Sequence, residues 1–229
     1  MRESDGMDIY LEIGQKRTLA VALDWPGWAR SGRDESTALQ TLLDYAPRYA
    51  AVAERAGIPF VSPDSTAGFM VTERLSGNAT TDYGVPGLIP ASDRRPFDST
   101  DLARQGALLA GCWTVYNTIA AAAVGLELRK GPRGGGRELE AITRHVFGAE
   151  QSYLSSFGWK MPKYVATDLN EEARLIRQAI HDGLAASMRG EIAERGPRGG
   201  VRWPARYFIR RVAWHVLDHA WEIVDRSSR

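Results

Sequence analysis

The spacing of apolar residues changes along this chain, from the alternation of β-strands to the period of α-helices. The apolar residues of 8–13 and 18–24 suit short strands, and residues 14–17 between them suit a turn. Apolar residues between positions 38 and 50 then recur at helical spacing, and residues 68–75 suit a further strand. This order predicts a small β-β-α-β unit at the start of the chain.

Four helical segments are predicted in the rest of the chain. They run over about residues 101–124, 138–157, 170–192 and 204–226. Residues 78–96 contain several prolines and glycines and have no clear period, which predicts a domain junction. The chain has 229 residues, more than the ~100–200 of a usual single domain. We therefore expect an α+β fold with a small β-β-α-β domain in residues 1–95 and an all-α up-and-down four-helix bundle in residues 96–229.

Charge and cysteine content exclude several classes of protein. The chain has 29 Lys and Arg against 28 Asp and Glu, so its charge gives no indication of nucleic acid or of an anionic membrane surface. Cys112 is the single cysteine, which excludes a disulfide framework and a thiolate zinc site. The first residues have no apolar signal core, and polar residues interrupt the longest apolar stretch, 107–126. We expect a cytoplasmic protein without a membrane segment, and nucleic acid is not the expected partner.

Two of the four histidines, His215 and His219, stand four residues apart in the last helical segment. This spacing places both imidazoles on one helical face, one turn apart, as two ligands of one metal ion require. The same face holds Phe208, Val212 and Glu222, so it is predicted to point into the bundle. An HxxxH pair by itself is a weak motif, because core and surface histidines are more common than metal ligands.

A third histidine, His145, lies at the edge of the apolar face of the second helical segment. Counted from the expected helix starts, His145 lies ~12 Å and His215 ~15 Å from the same end of the bundle. Three neutral imidazoles with open coordination positions suit zinc, nickel, iron or manganese, and an open position makes bound water acidic. We therefore predict that His145, His215 and His219 bind a divalent metal. Three separate core histidines are the alternative.

Glu222 is the candidate catalytic residue, because it follows His219 by three residues on the same helical face. Three roles fit this position: a general base, a fourth metal ligand, and an acceptor that orients a histidine ligand. A solvated glutamate near a helix end is the alternative.

Two glycine-rich loops carry the candidate substrate-binding residues. The sequence GPRGG occurs at residues 131–135 and again at 196–200, with Arg133 and Arg198 at its centre. In an up-and-down bundle these two connections lie at the same end. We therefore expect both arginines to flank one mouth and to hold a carboxylate of a small-molecule substrate or cofactor. Two permissive loops without a binding role are the alternative.

With these residues in place, the C-terminal part resembles the DinB/YfiT-like superfamily of metalloenzymes, four-helix bundles with one histidine on the second helix and an HxxxH pair on the last. Within residues 99–226, His145 matches the former and His215 with His219 matches the latter. The resemblance implies a divalent metal and often a homodimer. Members include hydrolases and S-transferases that use mycothiol, bacillithiol or glutathione, so it also implies a low-molecular-weight thiol as a candidate cofactor.

The N-terminal unit resembles the partial RNase H-like fold of HicB-type antitoxins, in which a β-hairpin ends in a D-x-P-G-x turn and a helix follows. The matching residues are 24–28, with the sequence DWPGW, followed by 31–32 and 35–39, within about residues 7–75. The acidic cluster of an active nuclease is not visible, and no DNA-binding helix pair follows. The resemblance therefore implies a binding or dimerising module.

Three functions stay open at this point. The first is a metal-dependent enzyme that transfers a low-molecular-weight thiol or hydrolyses a small molecule. The second is a non-enzymatic metal-binding or ligand-binding protein, and the third is an antitoxin-like regulator. A second activating group near the metal would favour the enzyme, whereas an all-histidine site closed by Glu222 and without a pocket would favour the non-enzymatic protein.

Overall fold

The N-terminal part is a four-stranded sheet, and two helices connect its third strand to its fourth. The computed structural model of the protein describes residues 6–130 and 136–227. The strands are β1 (Met7–Ile13), β2 (Thr18–Ala22), β3 (Ala29–Gly32) and β4 (Phe69–Ser76), in the order β3-β2-β1-β4. β4 is parallel to β1, and the other neighbours are antiparallel. A parallel neighbour requires a crossover, which helices α1 (Glu35–Asp44) and α2 (Ala46–Ala56) supply.

The sequence pattern missed two features of this unit. β3 follows the turn at Pro26 and Gly27 and has only four residues, too few to show a clear alternation. The single helix predicted before β4 is two helices that meet at Tyr45. Pro47 in the first turn of α2 lacks the N–H that a continuous helix would need there, and its ring would clash with the preceding turn.

Long helices follow the sheet, so the prediction of an α+β fold is confirmed. They are α4 (Ser99–Ala122), α5 (Leu139–Phe157), α6 (Leu169–Met188) and α7 (Ala205–Ser227), after a short α3 (Ala79–Asp82). Their ends follow from local chemistry. The carboxylates of Asp98 and Asp168 accept main-chain N–H groups in the first turns of α4 and α6. Gly158 ends α5 with a left-handed φ of 98°.

Helices α4 and α7 pack against each other and run in the same direction. At their starts, Arg206 of α7 forms an ion pair with Asp101 of α4. Just beyond the end of α4, the main-chain N–H of Arg129 donates to the carbonyl oxygen of Arg226 at the end of α7, at 3.0 Å. The connection that leaves α4 therefore lies where α7 ends.

Helices α5 and α6 run parallel to each other and opposite to α7. Phe157 at the end of α5 stacks on Phe208 near the start of α7, with ring centroids 4.5 Å apart. Nη1 of Arg144, near the start of α5, lies 3.9 Å from Oε2 of Glu172 in the first turn of α6. The connection 158–168 returns along the helices, since an extended chain of its length reaches ~36 Å and α5 is ~28 Å long. The up-and-down order predicted from the sequence is therefore wrong at this connection.

One hydrophobic core joins the sheet to the long helices. The turn before β3 packs on α7, where a Cβ on Gly27 would lie 2.7 Å from Leu217 Cδ1 and 3.1 Å from the main-chain carbon of Ala213. Gly27 also has a φ of 94°, so both the contact and the backbone conformation require glycine. The sheet therefore rests directly on the helix that carries His215 and His219.

The junction at residues 78–96 is bonded to both parts of the chain. The buried carboxylate of Glu12 in β1 accepts the main-chain N–H groups of Gly87, at 3.1 Å, and Leu88, at 3.0 Å. Asp93 forms a buried ion pair with Arg210 of α7, which also donates to carbonyl oxygens at the end of β2. The boundary between residues 95 and 96 stays a prediction, and it does not coincide with a break in packing.

We expect residues 78–96 to resist limited proteolysis, although loosely joined domains would be cut there. Glu12→Ala should speed cleavage in this segment, because the N–H groups of Gly87 and Leu88 lose their acceptor and the loss of each buried hydrogen bond costs about 1–3 kcal/mol. Mass spectrometry of the fragments measures the sites and rates. Exposed Glu54→Ala is the control and should leave the rates unchanged. Rapid cleavage of the wild-type segment would contradict the expectation.

Candidate metal centre

Three histidines from α5 and α7 meet in the space between those helices. His145 lies in the second turn of α5, while His215 and His219 lie one turn apart in the middle of α7. Because α5 runs opposite to α7, the prediction that the depths of His145 and His215 count from one shared end is wrong. The three side chains still meet, since His215 and His219 lie in the middle of α7. One ligand nitrogen from each imidazole lies within 4.8 Å of the other two. The structure thus brings together all three residues that the sequence predicted as ligands.

The distance between two of these nitrogens matches the distance expected on a bound metal ion. Nε2 of His145 and Nε2 of His215 lie 3.3 Å apart. Two imidazoles on a tetrahedral zinc with Zn–N bonds of ~2.0–2.1 Å have their nitrogens about 3.3–3.4 Å apart. The centroids of the three ring pairs are 5.0, 4.9 and 4.6 Å apart. Within the described ranges, no other group of three or more His, Cys, Asp or Glu side chains converges in this way.

Burial keeps two of these imidazoles in the neutral form that binds metals. Burial, reinforced by His219 and His145, lowers the pKa of His215 to about 2. Burial and the neighbouring His219 also lower the pKa of His145. Nδ1 of His215 is buried without a hydrogen-bond partner. A hydrogen bond between two imidazoles satisfies only one lone pair, whereas a metal ion satisfies the lone pairs of all three.

Glu222 is bonded to His219 and to Arg226 through its two oxygens. Oε2 lies 2.7 Å from Nδ1 of His219, and Oε1 accepts a hydrogen bond of 2.9 Å from Arg226. The hydrogen bond with His219 lowers the pKa of Glu222. Because Nδ1 of His219 is engaged, Nε2 is the nitrogen left to bind a metal. Of the three roles predicted for Glu222, this geometry matches the acceptor that orients a histidine ligand.

Of the two predicted substrate-binding arginines, the structure describes Arg198. It is exposed in the connection from α6 to α7, at the end where α7 begins. About 15 Å of α7 separates its start from its first histidine, so Arg198 is remote from the metal centre. Arg133 lies outside the described residues, and its role stays a prediction.

Arg211 and Tyr153 lie beside the histidines, and the sequence pattern did not indicate them. Arg211 precedes His215 by one turn on the same face of α7. The ring centroids of Tyr153 and His215 are 5.7 Å apart. Cζ of Arg211 lies 5.1 Å from the ring centre of Tyr153 and 4.7 Å from that of Trp214. The spacing of Arg211 and His215 is visible in the sequence, whereas the contact with Tyr153 depends on how α5 packs.

A buried carboxyl group, Glu150, lies on the side of α5 that faces α4. Its Oε1 accepts a hydrogen bond of 2.6 Å from Nε1 of Trp113, and its Oε2 is buried without a partner. Burial raises the pKa of Glu150 from its ordinary value near 4.5 to about 7, against the opposing effect of Arg177. The fourth histidine, His181, contacts Trp113 edge-on at 5.4 Å. Both residues are therefore separate from the three-histidine cluster.

We expect Glu222→Gln to weaken divalent metal binding by about ten- to a hundredfold, because a neutral amide is a weaker acceptor for His219 Nδ1–H. Competition with a chromogenic chelator measures the affinity. Glu194→Gln, an exposed change at the other end of the helices, is the matched control. An affinity equal to that of the wild type would show that Glu222 does not orient a ligand.

We expect Glu150 to make the free energy of unfolding depend on pH. Its pKa is raised to about 7 in the fold, so its contribution is fully present below pH ~4.5 and is lost as pH rises through ~7. Wild type should therefore lose about 1–3 kcal/mol relative to Glu150→Gln over that window. Urea unfolding at several pH values measures the difference, with exposed Glu127→Gln as control. A difference that stays constant with pH would contradict the assignment.

Comparisons with protein-family models, with curated proteins and with solved structures gave no match for this chain. Among residues 6–130 and 136–227, no helix combines the length and the hydropathy that a membrane span requires. A functional assignment for this chain therefore depends on its own side chains.

Proposed function

We propose that this protein binds one divalent metal ion through His145, His215 and His219 and is a metal-dependent enzyme acting on a small molecule. The observation that carries the proposal is the convergence of the three imidazoles within 4.8 Å, with a carboxylate on the outer nitrogen of one of them. Zinc, nickel, iron and manganese all accept imidazole ligands. A bound metal would supply Lewis acidity and would favour ionisation of a coordinated thiol or water.

The engagement of Glu222 supports an enzyme over a closed metal-binding module. Both of its oxygens are bonded, one to His219 and one to Arg226, so it is not placed as a fourth ligand. Three protein ligands leave a coordination position for substrate, which distinguishes catalytic from structural zinc sites. Glu222 keeps the Nδ1 side of His219 fixed, and Tyr153 with Arg211 forms a wall next to the site.

The placement of the ligands also supports the resemblance to the DinB/YfiT-like superfamily. One histidine lies on the second of the four long helices and the HxxxH pair lies on the last. We extend to this chain the two reactions that the resemblance implies, transfer of a low-molecular-weight thiol and hydrolysis, together with a homodimer. A non-enzymatic metal-binding or ligand-binding protein is the alternative if the metal-loaded protein binds no small molecule.

The packing of the N-terminal unit supports a structural role over an antitoxin role. Its D-x-P-G-x turn is covered by α7, with Gly27 against Leu217. Trp28 in the same turn is fully buried and donates from Nε1 to the carbonyl oxygen of Leu42, at 2.9 Å. A turn covered in this way is not free to meet a partner, and we propose that it supports the helix that carries the metal ligands.

We expect untagged purified protein to carry close to one divalent metal per chain, as measured by elemental analysis. His215→Ala combined with His219→Ala should abolish metal binding, because one imidazole cannot hold the ion. His145→Ala, at a less buried position, should weaken it strongly with less effect on folding. His181→Ala removes an imidazole outside the cluster and is the matched control.

Circular dichroism distinguishes loss of metal from loss of fold in these variants. Full metal occupancy in the folded double variant would overturn the metal centre. Calorimetric titration of the loaded wild type with mycothiol, bacillithiol and glutathione then tests thiol transfer. Absence of binding by all three would remove thiol transfer and leave hydrolysis or a non-enzymatic metal-binding protein.

A further inference from the structure

We propose that Arg211 binds a carboxylate of the substrate or thiol that reaches the metal centre. The proposal rests on the proposed function, because it concerns a ligand of the same site. Arg211 precedes His215 by four residues, so its Cα lies ~6 Å along the axis of α7 from the first ligand on that helix. The two side chains share one helical face and contact the same ring, that of Tyr153.

Arg211 differs from the other arginines of α7 in having no carboxylate partner among the described residues. Arg206 pairs with Asp101, Arg210 with Asp93, and Arg226 with Glu222. NH1 of Arg211 is buried without a hydrogen-bond acceptor. A guanidinium has five N–H donors, and leaving a buried one unpaired is costly. The aromatic rings beside it leave these donors unsatisfied, which is the state expected of a binding residue before its ligand arrives.

The charge around the metal centre also favours an anionic ligand. Among the described residues, Glu222 is the one carboxylate bonded to any of the three histidines; it contacts His219 and is shared with Arg226. Arg211 adds a second positive charge on the helical face of His215, next to the ring of Tyr153. A divalent ion in this place would add positive charge beside Arg211, and the carboxylate of Glu222 is already paired with Arg226. A ligand with a donor for the metal and a separate negative group would lower the electrostatic energy of this site.

The rings around Arg211 determine where such a ligand would lie. The ring of Tyr153 contacts both Arg211 and His215, and the ring of Trp214 lies 4.7 Å from Cζ of Arg211. These contacts hold the guanidinium plane in place, and a planar carboxylate can bind such a plane through two parallel hydrogen bonds. The class of ligand is therefore a small thiol or related donor with a carboxylate a few bonds away. A peptide thiol fits this description, and a thiol attached only to neutral sugars does not.

Binding of two matched thiols to the cobalt-substituted protein tests the proposal. The probes are 3-mercaptopropionate and 3-mercaptopropionamide, which have the same donor and differ in the carboxylate. The thiolate-to-cobalt absorption band reports binding of either probe. Wild type should bind the carboxylate about tenfold or more tightly than the amide, the ratio expected for a charge-assisted hydrogen bond. Arg211→Gln should abolish this preference, and Arg211→Lys should keep part of it.

Arg198→Gln is the control, because it removes an exposed guanidinium at the far end of the helices, and its preference should equal that of wild type. Cobalt affinity should be the same in all four proteins, since Arg211 is not a ligand. Equal binding of the two probes to wild type would overturn the Arg211 site and leave the metal centre intact. A preference that persists in Arg211→Gln would also overturn it, because the carboxylate would then be bound elsewhere. Absence of cobalt binding by wild type would instead overturn the proposed function and this inference with it.

Discussion

The burial of α7 on almost every face is the constraint on which the rest of the structure depends. A helix buried in this way needs partners for each polar group it carries, and Arg210 shows the consequence. Its buried guanidinium is paired with Asp93 and with carbonyl oxygens at the end of β2. Removing one partner would leave a buried charge uncompensated, at a cost of several kcal/mol, while the intact pair adds little net stability. The main effect of this pair is therefore to permit one rotation and one axial position of α7 against the sheet. Because Asp93 belongs to the segment between the sheet and the long helices, the same pair also fixes that segment.

The rotation of α7 decides which of its residues face α5. Ala213 and Leu217 contact the turn at Gly27, and residues two positions further along lie on nearly the opposite face of a helix. His215 and His219 are those residues, so packing of the sheet on one side directs the imidazoles to the other. The antiparallel course of α5 then brings His145 to the same level. The metal centre thus depends on a contact that contains none of its ligands. This dependence gives the N-terminal unit a physical role in the site without any chemistry of its own.

The ligands could be found from the sequence, because the relevant information is local. An HxxxH spacing defines one helical face, and His145 lies on the inward face of its own helix. The depth predicted for His145 was counted from an end shared with the start of α7, and this part is wrong, because α5 begins where α7 ends. The long helices were predicted within a few residues, since their caps and glycines are local signals too.

The direction of α6 could not be found from the sequence. It depends on whether residues 158–168 make a short turn, which would make α6 antiparallel to α5, or run back along α5, which makes the two helices parallel. A connection of eleven residues is long enough for either course. The expectation that Arg198 lies near the metal centre failed for that reason. Arg211 went unnoticed because an arginine on an inward helical face acquires meaning only when its neighbours are seen to lack a carboxylate.

The orientation of His219 depends on a chain of bonds that ends in the connection between α4 and α5. Nδ1 of His219 is bonded to Glu222, and Glu222 accepts a hydrogen bond from Arg226. Arg226 donates in turn to the carbonyl oxygens of Arg129, at 2.7 Å, and Arg137, at 2.9 Å. One guanidinium therefore holds both ends of that connection and the carboxylate behind a metal ligand. A histidine ligand is held most firmly when the acceptor behind it is itself fixed. Because a guanidinium has donors in a rigid plane, a shift of either main-chain carbonyl would change the direction in which Arg226 presents its N–H to Glu222. The geometry of the metal centre is thus tied to the covalent connection between the first two long helices as well as to the packing of α5 on α7.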